Sequence, residues 1–409
     1  MTERDDAQRP PAETDGGLVV DVDRHVQETW SIFQEYADPP FREHVFKKVT
    51  LDDGSEGIAV GGRPMPGWSA AMWDNAGANK FFEDDRFWPN NPEIKAHDAA
   101  SYLADMDAEG IDVAVIIPTI SLGIGTIPNG QIGSAMCRAY TRWVSKYCSL
   151  APHRMLPLAP INLFDPGLAA EDLKWAVEKM GLRGVFIGAT PINGRGLEHP
   201  DFDPFWAAAQ EAGVPVQVHS ISSLPDAQGH GPLVEVMAGV ARFGGNVFFH
   251  HLVSHRIEQH LAMLSIVSGG VLEKFPELRI VFTESGGGWV ASWLEDMDSH
   301  FHSHMGKWVP WLKMAPSEYF RRQCLIAFDA EEATLGATAP LIGADNVGWF
   351  SDYPHYDCVF PGAVDSVRRN MAALSDEDQQ KILGGNAARF YGLDTKSLIA
   401  EGIRKAHTV

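Results

Sequence analysis

Val113-Ala114-Val115-Ile116-Ile117-Pro118 is an unbroken apolar run. A strand with one face in water alternates apolar and polar residues, so a strand without alternation is covered on both faces, as in a parallel sheet flanked by helices. Upstream, Ser101 to Glu109 places Leu103 and Met106 on one helical face and stops at Gly110. Helix followed by buried strand is a repeating unit, and the chain continues it. Helical patterns near Gly130 to Tyr147, Leu168 to Lys179 and Pro204 to Ala212 alternate with strands at Met155 to Pro160, Gly184 to Ile187 and Val214 to His219. Asp203 is placed to cap the third of these helices, with Pro204 at its first position. More strands are legible at Leu278 to Thr283, Cys324 to Phe328 and Val347 to Ser351, and an earlier one at Val19 to Val26. Eight strands in βα order match an α/β fold of the (β/α)8 TIM-barrel type. An open doubly wound sheet is the alternative, but no G-x-G-x-x-G follows the first strand.

Composition narrows the function. With 33 basic against 54 acidic residues, the net charge of −21 sets the chain against nucleic acid and acidic membranes as partners. No apolar run approaches the roughly 18 residues of a spanning helix. The four cysteines (Cys137, Cys148, Cys324, Cys358) have no C-x-x-C spacing, which fits buried reduced thiols and a cytoplasmic protein. Residues 1–17 are acidic and polar and read as a disordered tail, 18–396 as the barrel and 397–409 as a C-terminal tail. Within the barrel, 27–96 is an irregular excursion rich in Gly, Pro and aromatics (Trp73, Phe81, Phe82, Phe87, Trp88), read as an ordered lid or an oligomer contact. At this net charge those aromatics are core or interface residues, not a base-stacking platform.

In a TIM barrel the chemistry sits at the C-terminal strand ends. Those ends carry Asp23 and His25 on strand one, His219 on strand five, Glu284 and Ser285 on strand six, and Asp352 followed by His355 on strand eight. Asp23 and His25, two apart in a strand, share a face. Two histidines and two aspartates without a thiolate suit one divalent cation, zinc first, with manganese or iron as alternatives.

The motifs Asp21-Val22-Asp23-Arg24-His25-Val26, His219 after Val216-Gln217-Val218, Gly270 to Arg279, Glu284-Ser285-Gly286-Gly287-Gly288-Trp289, Ser351-Asp352-Tyr353-Pro354-His355 and Gly385 to Tyr391 carry a resemblance. From about residue 18 to 394 the chain resembles the amidohydrolase-related family, the branch of the amidohydrolase superfamily that contains aminocarboxymuconate semialdehyde decarboxylase and γ-resorcylate decarboxylase. The resemblance implies a metal held by Asp23, His25, His219 and Asp352, a small-molecule substrate and a homodimer. Two departures stand out. Asp-x-His replaces the usual His-x-His or Glu-x-His of strand one. Ser285 stands where the decarboxylases place a catalytic histidine, so that role cannot be carried over.

Candidates to replace it are His251 and His255, which share a helical face if Asn246 to His260 is a helix (His250 does not), together with Glu284, as a general base, a further ligand or a partner orienting a histidine, and His355 in a similar role. The setting of Ser285, Glu-Ser-Gly-Gly-Gly, is not the G-x-S-x-G elbow of serine hydrolases. Its glycines permit close packing near Trp289 and could also present N–H groups to an oxyanion. Asp298 to His304 reads as a solvated helix end, not a metal tract. Three functions remain open: decarboxylation of a small, possibly aromatic, carboxylic acid; hydrolysis of an amide, ester or C–C-linked carbonyl by metal-bound water; and a barrel kept only for binding.

Overall fold

A computed structural model describes residues 17–52, 54, 56–69, 96, 98–119, 121–220, 247–355, 358–394 and 398. The expectations for residues 1–16, for the aromatics between 73 and 88 and for the C-terminal tail lie outside these residues, save for Leu398. The strands are β1 (Val20–Val26), β2 (Lys47–Thr50), β3 (Glu56–Val60), β4 (Arg63–Ser69), β5 (Val113–Pro118), β6 (Met155–Pro157), β7 (Ala159–Pro160), β8 (Val185–Gly188), β9 (Val216–His219), β10 (Ile280–Thr283), β11 (Cys324–Asp329) and β12 (Val347–Phe350). Parallel ladders run β1-β5-β6 and β7-β8-β9-β10-β11-β12. β6 and β7 are one strand interrupted at Leu158, after Pro157 has removed a ladder donor. Leu158 still donates to Ile116 O at 2.9 Å. The remaining gap is bridged past the ends of β1 and β12, where His25 N–H donates to Tyr353 O (2.6 Å) and Asp352 N–H to Asp23 O (3.2 Å). The eight barrel strands thus follow one another round a ring, a TIM barrel.

Alternate residues of each strand divide between two cores. Val20, Val22, Val113, Val115, Ile117, Leu156, Leu158, Phe186, Val281, Leu325, Ala327 and Phe350 fill the interior, with Ala387, Ala388, Phe390 and Tyr391 packed against them. The opposite faces pack on the surrounding helices. Burying such side chains contributes about 1.5–3 kcal/mol for each large one.

β1 has a parity problem that the structure solves. Val20 and Val22 fill the interior, so strict alternation would send Asp23 and His25 outward with Asp21. The register with β5 shifts between Asp21 and Arg24, where Asp21 faces Ala114 and Arg24 faces Ile116. That one extra residue is a bulge, and it turns Asp23 and His25 inward. Asp21 and Arg24 are left on the outer side. Asp21 accepts from Asp23 N–H (3.3 Å), which braces the bulge, and from Ser351 N–H (3.1 Å) and Ser351 Oγ (2.5 Å), which ties it to β12. Arg24 is fully buried, its guanidinium 4.2 Å from the Tyr353 ring centroid and 5.1 Å from that of Tyr102.

Between β1 and the first barrel helix the described part of the excursion holds a short helix (Ser31–Tyr36), a 3-10 turn (Pro39–Phe41) and a three-stranded antiparallel sheet, β2-β3-β4. The helices match their expected positions to within a few residues, at Ala99–Glu109, Gly130–Cys148, Pro166–Glu178 and Asp203–Ala212. One detail differs. A 3-10 turn, Pro200–Phe202, runs directly into Asp203–Ala212, so Phe202 holds the N-cap position and Asp203 is the first residue of the helix. Its carboxylate instead pairs with Lys274 at 3.0 Å.

Candidate metal centre

Four of the expected residues meet at the strand ends. Gln217 and His219 share the inner face of β9, since Val216 and Val218 pack outward. His219 Nε2 lies 3.5 Å from Asp23 Oδ2, and His25 Nε2 lies 3.5 Å from Asp23 Oδ1 and 3.1 Å from Asp352 Oδ1. The other ring nitrogen of each histidine faces a carbonyl: His25 Nδ1 donates to Pro118 O (2.7 Å) and His219 Nδ1 to Ser220 O (2.5 Å). A carbonyl only accepts, so Nδ1 carries the proton and Nε2 is the atom turned toward the carboxylates.

Glu284 joins from β10. Alternation would turn it outward after Thr283, but its backbone is left-handed (φ 57°), and its Oε2 sits 3.0 Å from His219 Nε2. Both oxygens of Asp23, Nε2 of His25 and His219, Oε2 of Glu284 and Oδ1 of Asp352 are buried with no hydrogen bond. Unsatisfied buried polar atoms are costly and rare. Six at one strand-end cluster fit a cation site, and among the described residues two overlapping triads have the spacing to hold a cation: Asp23, His25 and His219, and His25, Asp352 and His355.

The electrostatics agree. Burial raises the Asp23 carboxyl to about 8, against the pull of His219 and with further upward pushes from Asp352 and Glu284. Burial works to lower His219, but Glu284 and Asp23 outweigh it and bring it up to about 10. A proton on His219 therefore stands where a cation would offset the same carboxylates. Burial, then the neighbouring His355, lower His25 to about 4, which keeps it a neutral ligand type.

Two further histidines flank the cluster. His355 Nδ1 is 2.9 Å from Asp352 Oδ1, and its ring centroid is 3.7 Å from that of His25. His255 lies on the helix Val247–Met263, as expected, with Nε2 3.5 Å from Glu284 Oε1. The side chains of His250 and His251 lie outside the described residues. His260 is elsewhere, stacked on Trp289 at 3.9 Å with Nδ1 bonded to Arg256 O. His300 and His304 of the Asp298 to His304 run are exposed and bonded locally, to Asp296 O and Lys307.

Ser285 donates to Gly286 O (3.2 Å). The glycine N–H groups are already taken: Gly287 and Gly288 donate to the two carboxylate oxygens of Glu332, each at 2.8 Å, so those two are closed to an oxyanion. A Cβ on Gly287 would lie 2.2 Å from the Phe328 ring, which accounts for one glycine by close packing. Sequence reasoning missed Glu332, whose position beyond β11 carries no signal, and the β1 bulge, for which the clash of parity between Val20-x-Val22 and Asp23-x-His25 was a usable one.

The amidohydrolase family model matches residues 58–393. The chain belongs to the amidohydrolase family. The matched span begins after β1, so Asp23 and His25 are placed by the fold alone. This amidohydrolase is 22% identical over 319 residues, 77% of the chain and 80% of the relative, to 2-amino-3-carboxymuconate-6-semialdehyde decarboxylase of Dictyostelium discoideum. Among solved structures it resembles an amidohydrolase of Mycobacterium avium subsp. paratuberculosis K-10, with a TM-score of 0.74 and 22% identity over 93% of this chain and 100% of that one. It also resembles a dihydroxybenzoic acid decarboxylase of Polaromonas sp. JS666 with bound manganese and the inhibitor 2-nitroresorcinol (TM-score 0.66, 18% identity, 94% of this chain and 99% of that one).

Proposed function

We propose that this amidohydrolase is a metal-dependent decarboxylase of a small aromatic carboxylic acid, with Asp23, His25, His219 and Asp352 holding one divalent cation. The convergence of six buried, unbonded donor atoms carries the reading. Decarboxylases among the curated relatives and the structural neighbours support the reaction class. The manganese bound in the Polaromonas neighbour favours manganese over the zinc expected from sequence. When bound, the cation would supply a Lewis acid for the substrate's carboxylate or adjacent hydroxyl.

The chain's own groups handle the proton. Asp352 holds His355 through the Nδ1–Oδ2 hydrogen bond (3.1 Å), leaving Nε2 as the atom that takes up and releases a proton. His255 stands beside Glu284 and offers the same chemistry. One of these two replaces the histidine that Ser285 displaces and protonates the ring carbon as carbon dioxide leaves. A homodimer and a cytoplasmic location complete the proposal. The first rests on the family resemblance; the scattered spacing of the four cysteines supports the second. Among the described residues, no helix is long and apolar enough to cross a membrane.

The test is carbon dioxide release from a panel of hydroxylated benzoic acids by manganese-loaded protein. Release that is lost in His219→Ala supports decarboxylation. Turnover of amides or esters without carbon dioxide would replace it with the hydrolase reading, and no metal uptake would leave only a binding barrel.

A further inference from the structure

We infer that Glu284 is a fifth protein ligand of the cation, the counterpart of Asp352; this rests on the metal-centre reading above. Among the described residues only three non-glycine residues have positive φ: Asn193, Glu284 (57°) and Asp352 (59°). Left-handed backbone is unfavourable for residues with a Cβ and collects at functional sites. Two of the three stand just beyond barrel strands, β10 and β12, and they match in three further respects, although Asp352 alone of the two belongs to a triad with metal-holding spacing among the described residues. Glu284 Oε2 lies 3.0 Å from His219 Nε2, and Asp352 Oδ1 lies 3.1 Å from His25 Nε2. Each of those oxygens is buried without a hydrogen bond. Each carboxylate also touches an outer histidine, His255 or His355. Two lines of histidine, carboxylate and histidine thus meet at Asp23.

The tautomers turn the resemblance into an argument. With His219 Nδ1–H committed to Ser220 O, Nε2 is unprotonated whenever it ligates. With Nε2 unprotonated, a carboxylate oxygen 3.0 Å from that lone pair is repelled unless the cation takes the place of the proton against both atoms. The same holds for Asp352 and His25. Retreat is hindered on the Glu284 side, because Glu332 grips the next turn through Gly287 and Gly288.

Three carboxylates and two neutral imidazoles form an oxygen-rich set of five donors, which favours six-coordinate manganese or iron over four-coordinate zinc. A cation held by all five would have room for a single substrate oxygen, in place of chelation through carboxylate and hydroxyl together. The ligand set carries three negative charges against the cation's two, so it also disfavours polyanionic substrates.

The experiment pairs a crystal structure of manganese-loaded protein, with the ion located by its anomalous signal, with calorimetric titration of manganese into metal-free wild type, Glu284→Gln and Asp23→Asn. The expected result is Glu284 oxygen at about 2.0–2.4 Å from the ion. Affinity in Glu284→Gln should fall more than ~100-fold, beyond the ~10–100-fold loss typical of residues that only orient a ligand. An ion bound by Asp23, His25, His219 and Asp352 with Glu284 beyond about 3 Å overturns the inference and leaves the metal centre standing. Wild type that takes up no manganese, iron or zinc overturns both. If Glu284→Gln does not fold, the wild-type crystal structure decides alone.

Discussion

Replacing Glu332 by alanine tests whether the turn after β10 is held from outside. Glu332 accepts hydrogen bonds from the Gly287 and Gly288 N–H groups at 2.8 Å each, and from Thr334 Oγ1 at 2.8 Å. Successive backbone N–H groups bonded to one anion form a nest, here filled by a side chain of the same protein. A hydrogen bond to a charged group contributes about 1.5–3 kcal/mol. Two such bonds, discounted because the half-buried site lets water replace part of them, give an expected loss of about 2–4 kcal/mol on Glu332→Ala. Glu332→Gln should lose about half of that, since its amide oxygen can serve one N–H while its NH2 group opposes the other. Urea unfolding of the metal-free proteins, followed by circular dichroism, measures both. The loss should also appear at the metal centre as weaker manganese binding, because the left-handed Glu284 sits three residues before Gly287. An alanine variant that unfolds within ~0.5 kcal/mol of wild type would refute the reasoning, since that is the range of an ordinary surface change.

Three other outcomes are expected. Manganese at 100 times its dissociation constant should stabilise the wild type by about 2.7 kcal/mol, read as a rise in melting temperature that disappears in Asp23→Asn. Of His255→Gln and His355→Gln, the one that removes the proton donor should reduce carbon dioxide release by about 10²–10⁴-fold with its manganese content unchanged; full activity in both would exclude either histidine as donor. Burial raises the Glu28 carboxyl above its ordinary 4.5, although Ser121 and Thr119 donate to it. The folded protein then holds that proton more tightly than the unfolded chain, so Glu28 favours folding at low pH and that contribution fades as pH rises through its folded value. Urea midpoints measured upward from pH 4.5 should fall less steeply in Glu28→Gln than in wild type.

The barrel was legible because its strands are covered on both faces, and continuous runs such as Val113 to Pro118 have no other use in a chain of this length. The strand-end cluster was legible for a related reason: ionisable residues at the ends of such runs stand out against apolar neighbours. What escaped depended on pairing between distant segments. The bulge in β1 is a matter of register with β5, which no single strand encodes. The sheet β2-β3-β4 was hidden because Arg63–Ser69 contains Pro64, Pro66 and Gly67, loop residues by composition that an edge strand tolerates. Asp203 was misjudged as a cap because a 3-10 turn delivers the chain to that helix already curled. Glu284 was singled out by position, but its closeness to both His219 and His255 rests on a backbone conformation that residue identity does not announce.

The seam between β1 and β12 sets an order on assembly. Ser351 meets Asp21 across 330 residues of chain, and the same joint delivers Asp352 to His25. During synthesis Asp23 and His25 emerge with the first barrel strand and wait, without their partner carboxylate, until the strands between β1 and β12 have been made. Contacts so distant in sequence form late and slowly. A nascent chain halted before Asp352 would therefore display an unclosed strand edge and a cation site still short of one carboxylate.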